Sequence, residues 1–423
     1  MTWWQISPLV EKFVSVSREE RKVLPWGVVA DISLAVFSIV LGLGLVWWRL
    51  KSQGFDQTYG FSTLPPWGYD FRLSMEWGRA LWNGGLEAYL SLPNAWPPFA
   101  TVFYLPLGFL DNRLGYQLLV VSLVLALCLS VSLGLRFYTA HTISYSTRYL
   151  ILALLVGLLA QSFPFIFAVE RGNSDLIALA FIALGLSSFQ RGCGLQAILL
   201  LTVATQLKMY PAILGVLFVL RRQYRLSLLF GVVNVALLFV LGPRALLHFI
   251  SSVSSAAAGA TSEFNHSLFS YLNRLGGEPP LSPALGILVL MALWGVGVAG
   301  KWWKTRHHAD DSSLPAPFCM AEVGIIGMAF VLMSLIPAIS WDYKLVIHLF
   351  PYLLVVGCVA RQQEPSVILG VTVLALAGCT GGLFLQNSGS PRTPLLLINF
   401  ALYGIVVAVG LSRKHVPDRS VWV

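Results

Sequence analysis

Asp70, Arg171, Asp175, Lys208, Arg274 and Lys344 are charged side chains at the edges of long apolar runs. A charge in such a place is costly unless it has a partner or a task. A carboxylate there can take the proton of an attacking hydroxyl, and convergent Lys and Arg side chains can hold a phosphate. The acid that stands out lies in Trp67-Gly-Tyr-Asp-Phe-Arg-Leu-Ser-Met-Glu76, a polar stretch that follows the first apolar run and continues to Tyr89. From Asp70 to Asn83, Arg72, Glu76, Arg79 and Asn83 recur at helical spacing, while Phe71, Leu73, Met75, Trp77, Leu81 and Trp82 cover the rest of the circumference. The pattern predicts a helix lying on a membrane surface with one wet face, stopped by Gly84-Gly85. Asp70 at its start reads as a proton acceptor or as an N-cap that suits the helix dipole, and the two roles are compatible.

Four further stretches carry polar groups at run ends. Glu170-Arg-Gly-Asn-Ser-Asp175 opens the run at 174, with Asn173 in its turn and Arg171 the expected partner of Asp175. Lys208-Met-Tyr210-Pro211 puts a cation at the tip of a short hairpin, with snorkelling as the alternative. The segment from Phe264 to Arg274 places Asn265, His266 and Arg274 in a long polar loop. Ser340-Trp-Asp-Tyr-Lys344 opens the run at 342, and His348 follows on the same helical face or as a hydrogen-bonded core residue. The five cysteines (Cys128, Cys193, Cys319, Cys358 and Cys379) sit in or beside apolar runs and read as small core residues. No Gly-rich phosphate loop, His-Glu-x-x-His, Gly-x-Ser-x-Gly, Cys/His metal spacing or Asp-x-Asp occurs, so neither a metal nor a cofactor is expected.

The elements that must position these residues are membrane helices. The chain is 57% hydrophobic and 11% charged, with mean hydropathy +0.74, whereas soluble domains carry roughly a quarter charged residues. An all-α polytopic membrane protein follows, since a β-barrel would show short alternating segments. Apolar runs occupy 27–48, 114–135, 149–169, 174–190, 226–242, 283–300, 319–338, 342–360, 366–385 and 394–411. Residues 98–110 are too short to span and read as a second juxtamembrane or re-entrant helix, and 194–221 read as a hairpin turning at Lys208-Met-Tyr-Pro211. Twelve crossings result, with both termini on one side. That side holds about 17 of the 28 Lys and Arg against about 11 on the other, which makes it cytoplasmic. The net charge of +9 is therefore read as topogenic, with no nucleic acid implied. The loops 49–113 and 243–282 and the turns at 169–173, 208–210 and 339–342 then face outward. The first run is long enough to stay as an anchor, and the chain reads as one membrane-embedded domain, 1–423, without internal repeats.

In order along the chain, the Asp70 segment, Asn-Gly-Gly-x-x-x-Tyr89, Trp96-Pro-Pro-Phe99, Glu170-Arg-Gly-Asn-Ser-Asp-Leu176, Lys208-Met-Tyr-Pro211, Asn265-His-Ser-Leu268 with Arg274, and Ser340-Trp-Asp-Tyr-Lys-Leu345 resemble the polyprenol-phosphate-sugar-dependent glycosyltransferases of family 87, within the membrane-embedded C-type superfold. Where some members carry histidines after the Trp, this chain has Tyr343-Lys344. The resemblance implies an inverting transfer from a polyprenyl-phosphate sugar, often mannose or arabinofuranose, to a glycolipid or glycan hydroxyl at the outer face of the bilayer. It makes Asp70 the general base. Arg171, Lys208, Arg274 and Lys344 would hold the donor phosphate, and Asn173, Asp175, Tyr210, Asn265, His266 and His348 complete the expected substrate-binding set. The competing class is a secondary transporter or lipid flippase, with Arg171, Asp175 and Lys208 lining a path. Transporter helix breaks usually come in repeat-related pairs, and this sequence shows one short hairpin.

Overall fold

The computed structural model describes residues 36–45, 68–139, 145–258, 265, 267–274, 281–307, 318–337, 342–360, 366–385 and 392–412. Every regular element among them is helical. In order these are α1 Val36–Leu45, α2 Tyr69–Leu90, α3 Pro98–Tyr104, α4 Asn112–Thr139, α5 Tyr145–Ala160, α6 Phe163–Arg171, α7 Asp175–Gln190, α8 Gly194–Leu207 and α9 Val216–Leu220. Then come α10 Tyr224–Leu238, α11 Pro243–Ala258, α12 Leu268–Arg274, α13 Leu281–His307, α14 Met320–Leu335, α15 Leu349–Ala360, α16 Val367–Leu385 and α17 Thr393–Ser412. Three 3-10 segments, Leu105–Phe109, Tyr210–Gly215 and Asp342–His348, join or extend them.

Among the described residues α4, α13, α16 and α17 are long and apolar enough to cross a membrane, and two bent pairs raise the number to six. The run at 149–169, expected as one crossing, bends by 65° between α5 and α6. Its cause is legible: Ser162 caps α6, its Oγ accepting from Phe165 N–H at 3.4 Å, and Pro164 occupies the first turn. The second pair, α10 and α11, bends by 91° at Gly242, whose φ is +87°. Other expected runs appear as helices of 10–17 residues, α7, α8 and α14 among them. The 14 residues of α8 rise about 21 Å, short of a hydrocarbon core of about 30 Å.

The core is built on α14, all of whose residues are buried, as befits a helix apolar on every side. It packs against α17 at close range, where a Cβ on Gly327 would meet the Tyr403 ring at 2.1 Å. Around it α4 packs on α7 and α15, and α7 packs on α8. Leu154, Leu158, Leu199, Leu228, Leu288 and Leu374 point outward, the surface of a protein solvated by lipid tails. At the Phe189 end of α7, Arg221 forks onto Glu322, Nε to Oε1 at 3.1 Å and Nη2 to Oε2 at 3.0 Å. Its guanidinium lies beside the stacked Phe189 and Phe318 rings, 5.1 and 5.3 Å from their centroids. This clasp ties α9 to α14 one helix length away from Asp175, about 21 Å along α7.

The first polar loop is largely helical from Gly68 onward. In α2, Phe71, Met75 and Trp77 turn inward, and Glu76 and Asn83 are exposed. Arg72 pairs with Glu76 at 3.5 Å, while Arg79 leaves the expected wet stripe and donates to the carbonyls of Gly108 and Leu110 at 2.9 and 2.7 Å. That stitch fixes the short 98–110 piece against α2. Gly84-Gly85 breaks the helix where expected, and a second helical segment follows. Gly85 takes a non-helical φ of +67°, and after that kink α2 runs on to Leu90.

Candidate active site

Asp70 is not the N-cap of α2. Gly68 holds that position in the left-handed conformation, with no side chain to cap, and Asp70 sits in the first turn. Its carboxylate is thereby free to reach across to the α6–α7 turn. Oδ1 accepts from Arg171 Nη2 at 2.7 Å, and Oδ2 accepts from Asn173 Nδ2 at 2.9 Å. The backbone is stitched at the same point: Gly68 N–H donates to Glu170 O at 3.0 Å, and the Tyr116 hydroxyl donates to Val169 O at 2.8 Å.

The turn that offers these partners is a helix C-terminus of the Schellman type. Asn173 N–H reaches Ala168 O at 2.9 Å and Gly172 N–H reaches Val169 O at 3.0 Å. Gly172 has φ +65°, and a Cβ there would lie 2.7 Å from Phe71 Cβ and 2.9 Å from Gly68 Cα. Both the backbone angle and the approach of α2 demand glycine. Asn173 then turns the chain into α7, its Oδ1 accepting from Asp175 N–H at 3.0 Å. One amide side chain thus touches the Asp70 carboxylate with its NH₂ and the start of α7 with its oxygen.

Asp175 is fully buried, and the expectation that Arg171 pairs with it is not met. Arg171 and Asp175 are four apart in sequence, yet the left-handed Gly172 between two helices removes any shared helical face. Arg171 instead takes Asp70, its guanidinium 4.8 Å from the Tyr69 ring centroid. Asp175 receives the Tyr210 hydroxyl on Oδ1 and has Lys208 Nζ 3.8 Å from Oδ2. Lys208 follows α8 in an extended conformation, so its side chain does not continue the helix face. Its ammonium lies 4.5 Å over the Trp96 ring, and that of the buried Lys344 lies 5.3 Å over Tyr210. The helix starts and turns therefore bring Asp70, Arg171, Asn173, Asp175, Lys208, Tyr210 and Lys344 into one connected set.

Trp96 is delivered by a polar hub that the sequence did not advertise. The buried Asn94 donates from Nδ2 to the Tyr89 hydroxyl at 2.5 Å and accepts Trp96 N–H on Oδ1 at 2.9 Å. Burial pushes the Tyr89 phenol up from its ordinary range, so it stays a neutral hydrogen-bonding group. The second polar loop packs on the same hub. Asn94 N–H donates to Ser252 Oγ at 3.3 Å, and His248 Nε2 lies 2.7 Å from Leu92 O. The two stretches read as outer loops meet here through α11.

The remaining expected residues fall elsewhere. His348 is buried, with Nε2 2.9 Å from Ser334 Oγ of α14. The segment 342–348 is a 3-10 helix, in which residues four apart point about 120° from one another, so Lys344 and His348 do not share a face. Asn265 is buried and accepts Ser267 N–H at 3.1 Å at the entry to α12. Arg274 ends α12, and its side chain lies outside the described residues, as do His266, Trp67, residues 338–341 and the side chain of Tyr343.

An all-helical membrane protein with paired acids and cations at one set of helix ends is the class these features define. The family model described as glycosyltransferase family 87 matches residues 94–334, more than half of the chain. The chain belongs to glycosyltransferase family 87 and is a glycosyltransferase; the transporter alternative gives way. No curated protein matches it. Asp70 precedes the matched segment and Lys344 follows it, so their roles rest on the geometry above.

Proposed function

We propose that the chain transfers a glycosyl residue of the mannose or arabinofuranose class from a polyprenyl-phosphate sugar to a hydroxyl of a lipid or polysaccharide acceptor. The transfer takes place on the extracytoplasmic face and inverts the anomeric centre. In this reading the whole chain, 1–423, is one domain with twelve crossings and cytoplasmic termini. The observation that carries it is the connection of Asp70, through Arg171 and Asn173, to a buried set of cations in a membrane glycosyltransferase.

The chemistry follows from the groups present. As the acceptor oxygen bonds to the anomeric carbon, its proton passes to Asp70, and the bond from that carbon to the phosphate oxygen breaks with its electron pair. Polyprenyl phosphate leaves as an anion already stable at neutral pH, so no acid need protonate it. Each carboxylate oxygen of Asp70 bears one hydrogen bond here and has capacity for another. Arg171 and Asn173 orient the base. Lys208 and Lys344 stabilise the charge that grows on the phosphate, an effect that is strong in a poorly solvated site. The test is incubation of the purified protein in lipid with radiolabelled polyprenyl-phosphate mannose or arabinofuranose. Label moving to a glycolipid acceptor supports the reading, and transfer only from nucleotide sugars defeats it.

A further inference from the structure

The outward face of α10 bears a groove of about 710 Å³ that runs from Tyr224 to Ala236 with Gly231 at its middle. Leu228, Val232 and Val235 are exposed along it, and a Cβ on Gly231 would meet no atom within 4 Å. From end to end the helix rises about 18 Å, close to one leaflet of a hydrocarbon core about 30 Å thick. The two ends differ. No charged residue lies from Leu226 through Gly242, whereas the Tyr224 end is basic and aromatic. Trp302 Nε1 of α13 donates to the Tyr224 hydroxyl at 3.0 Å, and amphipathic rings of this kind belong at head-group level. Arg225 is exposed, and it recurs with Leu228, Val232 and Val235 on one side of the helix. The sequence holds no Asp or Glu between Asp175 and Glu263, and Arg225 has no ion pair among the described residues. Its basic neighbours are engaged: Arg221 holds Glu322, and Lys304 reaches Leu411 O at 2.7 Å.

An apolar face alone asks only for lipid tails. A leaflet-long groove with a cation and hydroxyls at one end asks for a tail joined to an anion. The geometry points to a binding site for an anionic diacyl phospholipid, its acyl chain over Gly231 and its phosphate at Arg225. The Ser227 hydroxyl lines the groove one turn in, and the Tyr224 hydroxyl, which accepts from Trp302, keeps its own proton to donate. A basic pocket among membrane helices is the expected form of such a site. The sugar donor is the wrong occupant, because its phosphate is needed at Lys208 and Lys344, whereas Tyr224 follows closely on the Arg221 clasp at the other end of α7. The inner face of α10 gives the lipid a consequence. Asn234 Nδ2 donates to Thr202 Oγ1 at 3.3 Å, and Asn234 Oδ1 accepts from Gln206 Nε2 at 3.0 Å. Both partners lie on α8, which ends at Lys208. A lipid seated on the outer face of α10 thus braces the hairpin that carries Lys208.

The test places the full-length protein in nanodiscs of phosphatidylcholine with an equal share of phosphatidylglycerol, and native mass spectrometry reads the lipid retained on release. Phosphatidylglycerol should be retained about fivefold over phosphatidylcholine, the factor that one basic residue at a lipid surface is worth. Arg225→Gln should erase that preference and keep the neutral lipid. Gly231→Phe, which fills the groove and leaves Arg225 in place, should remove the retained lipid altogether. Thermal midpoints equal to the parent's in pure phosphatidylcholine show that both variants are folded. Should Gly231→Phe fail that control, Val232→Trp fills the same exposed face. No preference in the parent, or a preference that survives either substitution, overturns the site and leaves only diffuse surface charge. Displacement of phosphatidylglycerol by an equal amount of polyprenyl phosphate assigns the groove to the donor, and a dimer mass lost in Gly231→Phe assigns it to a second copy of the chain. Either result also overturns the inference.

Discussion

Two buried sets of acid and cation lie at the two ends of α7, and they are built differently. At the Phe189 end, Glu322 is saturated: Arg221 takes both oxygens, and Cys319 N–H adds a third bond to Oε2 at 3.0 Å. At the Asp175 end, one carboxylate oxygen has a cation only at 3.8 Å and no hydrogen bond among the described residues. Saturation is what a fold requires of a charge that only holds helices together. Incomplete satisfaction beside a second carboxylate, Asp70, is what a site requires of groups that must also bind something. The comparison separates structure from chemistry by how completely each acid is satisfied.

The largest blow to the unsaturated end is Asp70→Asn. The substitution keeps the shape and removes the proton acceptor, and the turnover number should fall about 10²–10⁴-fold with the thermal midpoint little changed. Transfer at a rate near that of the parent would remove Asp70 from the mechanism. Next in size is Lys208→Met, which keeps the stem and deletes the charge over Trp96. A drop of about 10²-fold in kcat is expected if the ammonium faces the departing phosphate. An unchanged kcat would return Lys208 to a snorkelling role.

At the saturated end the sign of the comparison reverses. Arg221→Met strands a buried Glu322 carboxylate and should cost about 3–5 kcal/mol of stability. Specific activity of the fraction that remains folded should hold. Thermal unfolding in detergent, with activity normalised to monodisperse protein, reads both quantities. Lost activity in fully folded Arg221→Met protein would show that the two ends of α7 are not independent.

What the sequence revealed follows the same division. Asp70 was legible because acid is scarce in an apolar chain, and the all-helical membrane class because long runs leave no other way to satisfy the backbone. The partner of Arg171 was not legible. Sequence spacing pointed to Asp175, whereas the left-handed Gly172 turned Arg171 toward a residue 101 positions earlier. Arg221 fell among the basic residues that set topology, and its burial beside Phe189 and Phe318 depends on how α7, α9 and α14 pack, which no local pattern encodes. The 91° bend at Gly242 turned a stretch read as loop into α11, because Gly242-Pro243 ends one helix and begins another.

The smallest effect is expected where α11 meets α2 on the surface. Arg244 forks onto Glu87 with distances of 2.5 and 3.0 Å, geometrically as good as the Arg221 clasp. Its side chains are 63% and 72% exposed, so water and salt screen the attraction, and ordering two long side chains offsets the rest. The contacts that seat α11 on the Asn94 hub are instead those of Ser252 and His248. Arg244→Gln should therefore leave both the thermal midpoint and kcat unchanged at any ionic strength. His248→Leu, which removes the bond to the Leu92 carbonyl, should loosen the loop that carries Trp96 and lower kcat several-fold. If Arg244→Gln proved the more damaging of the two, burial would not be what distinguishes a working contact from an idle one in this protein.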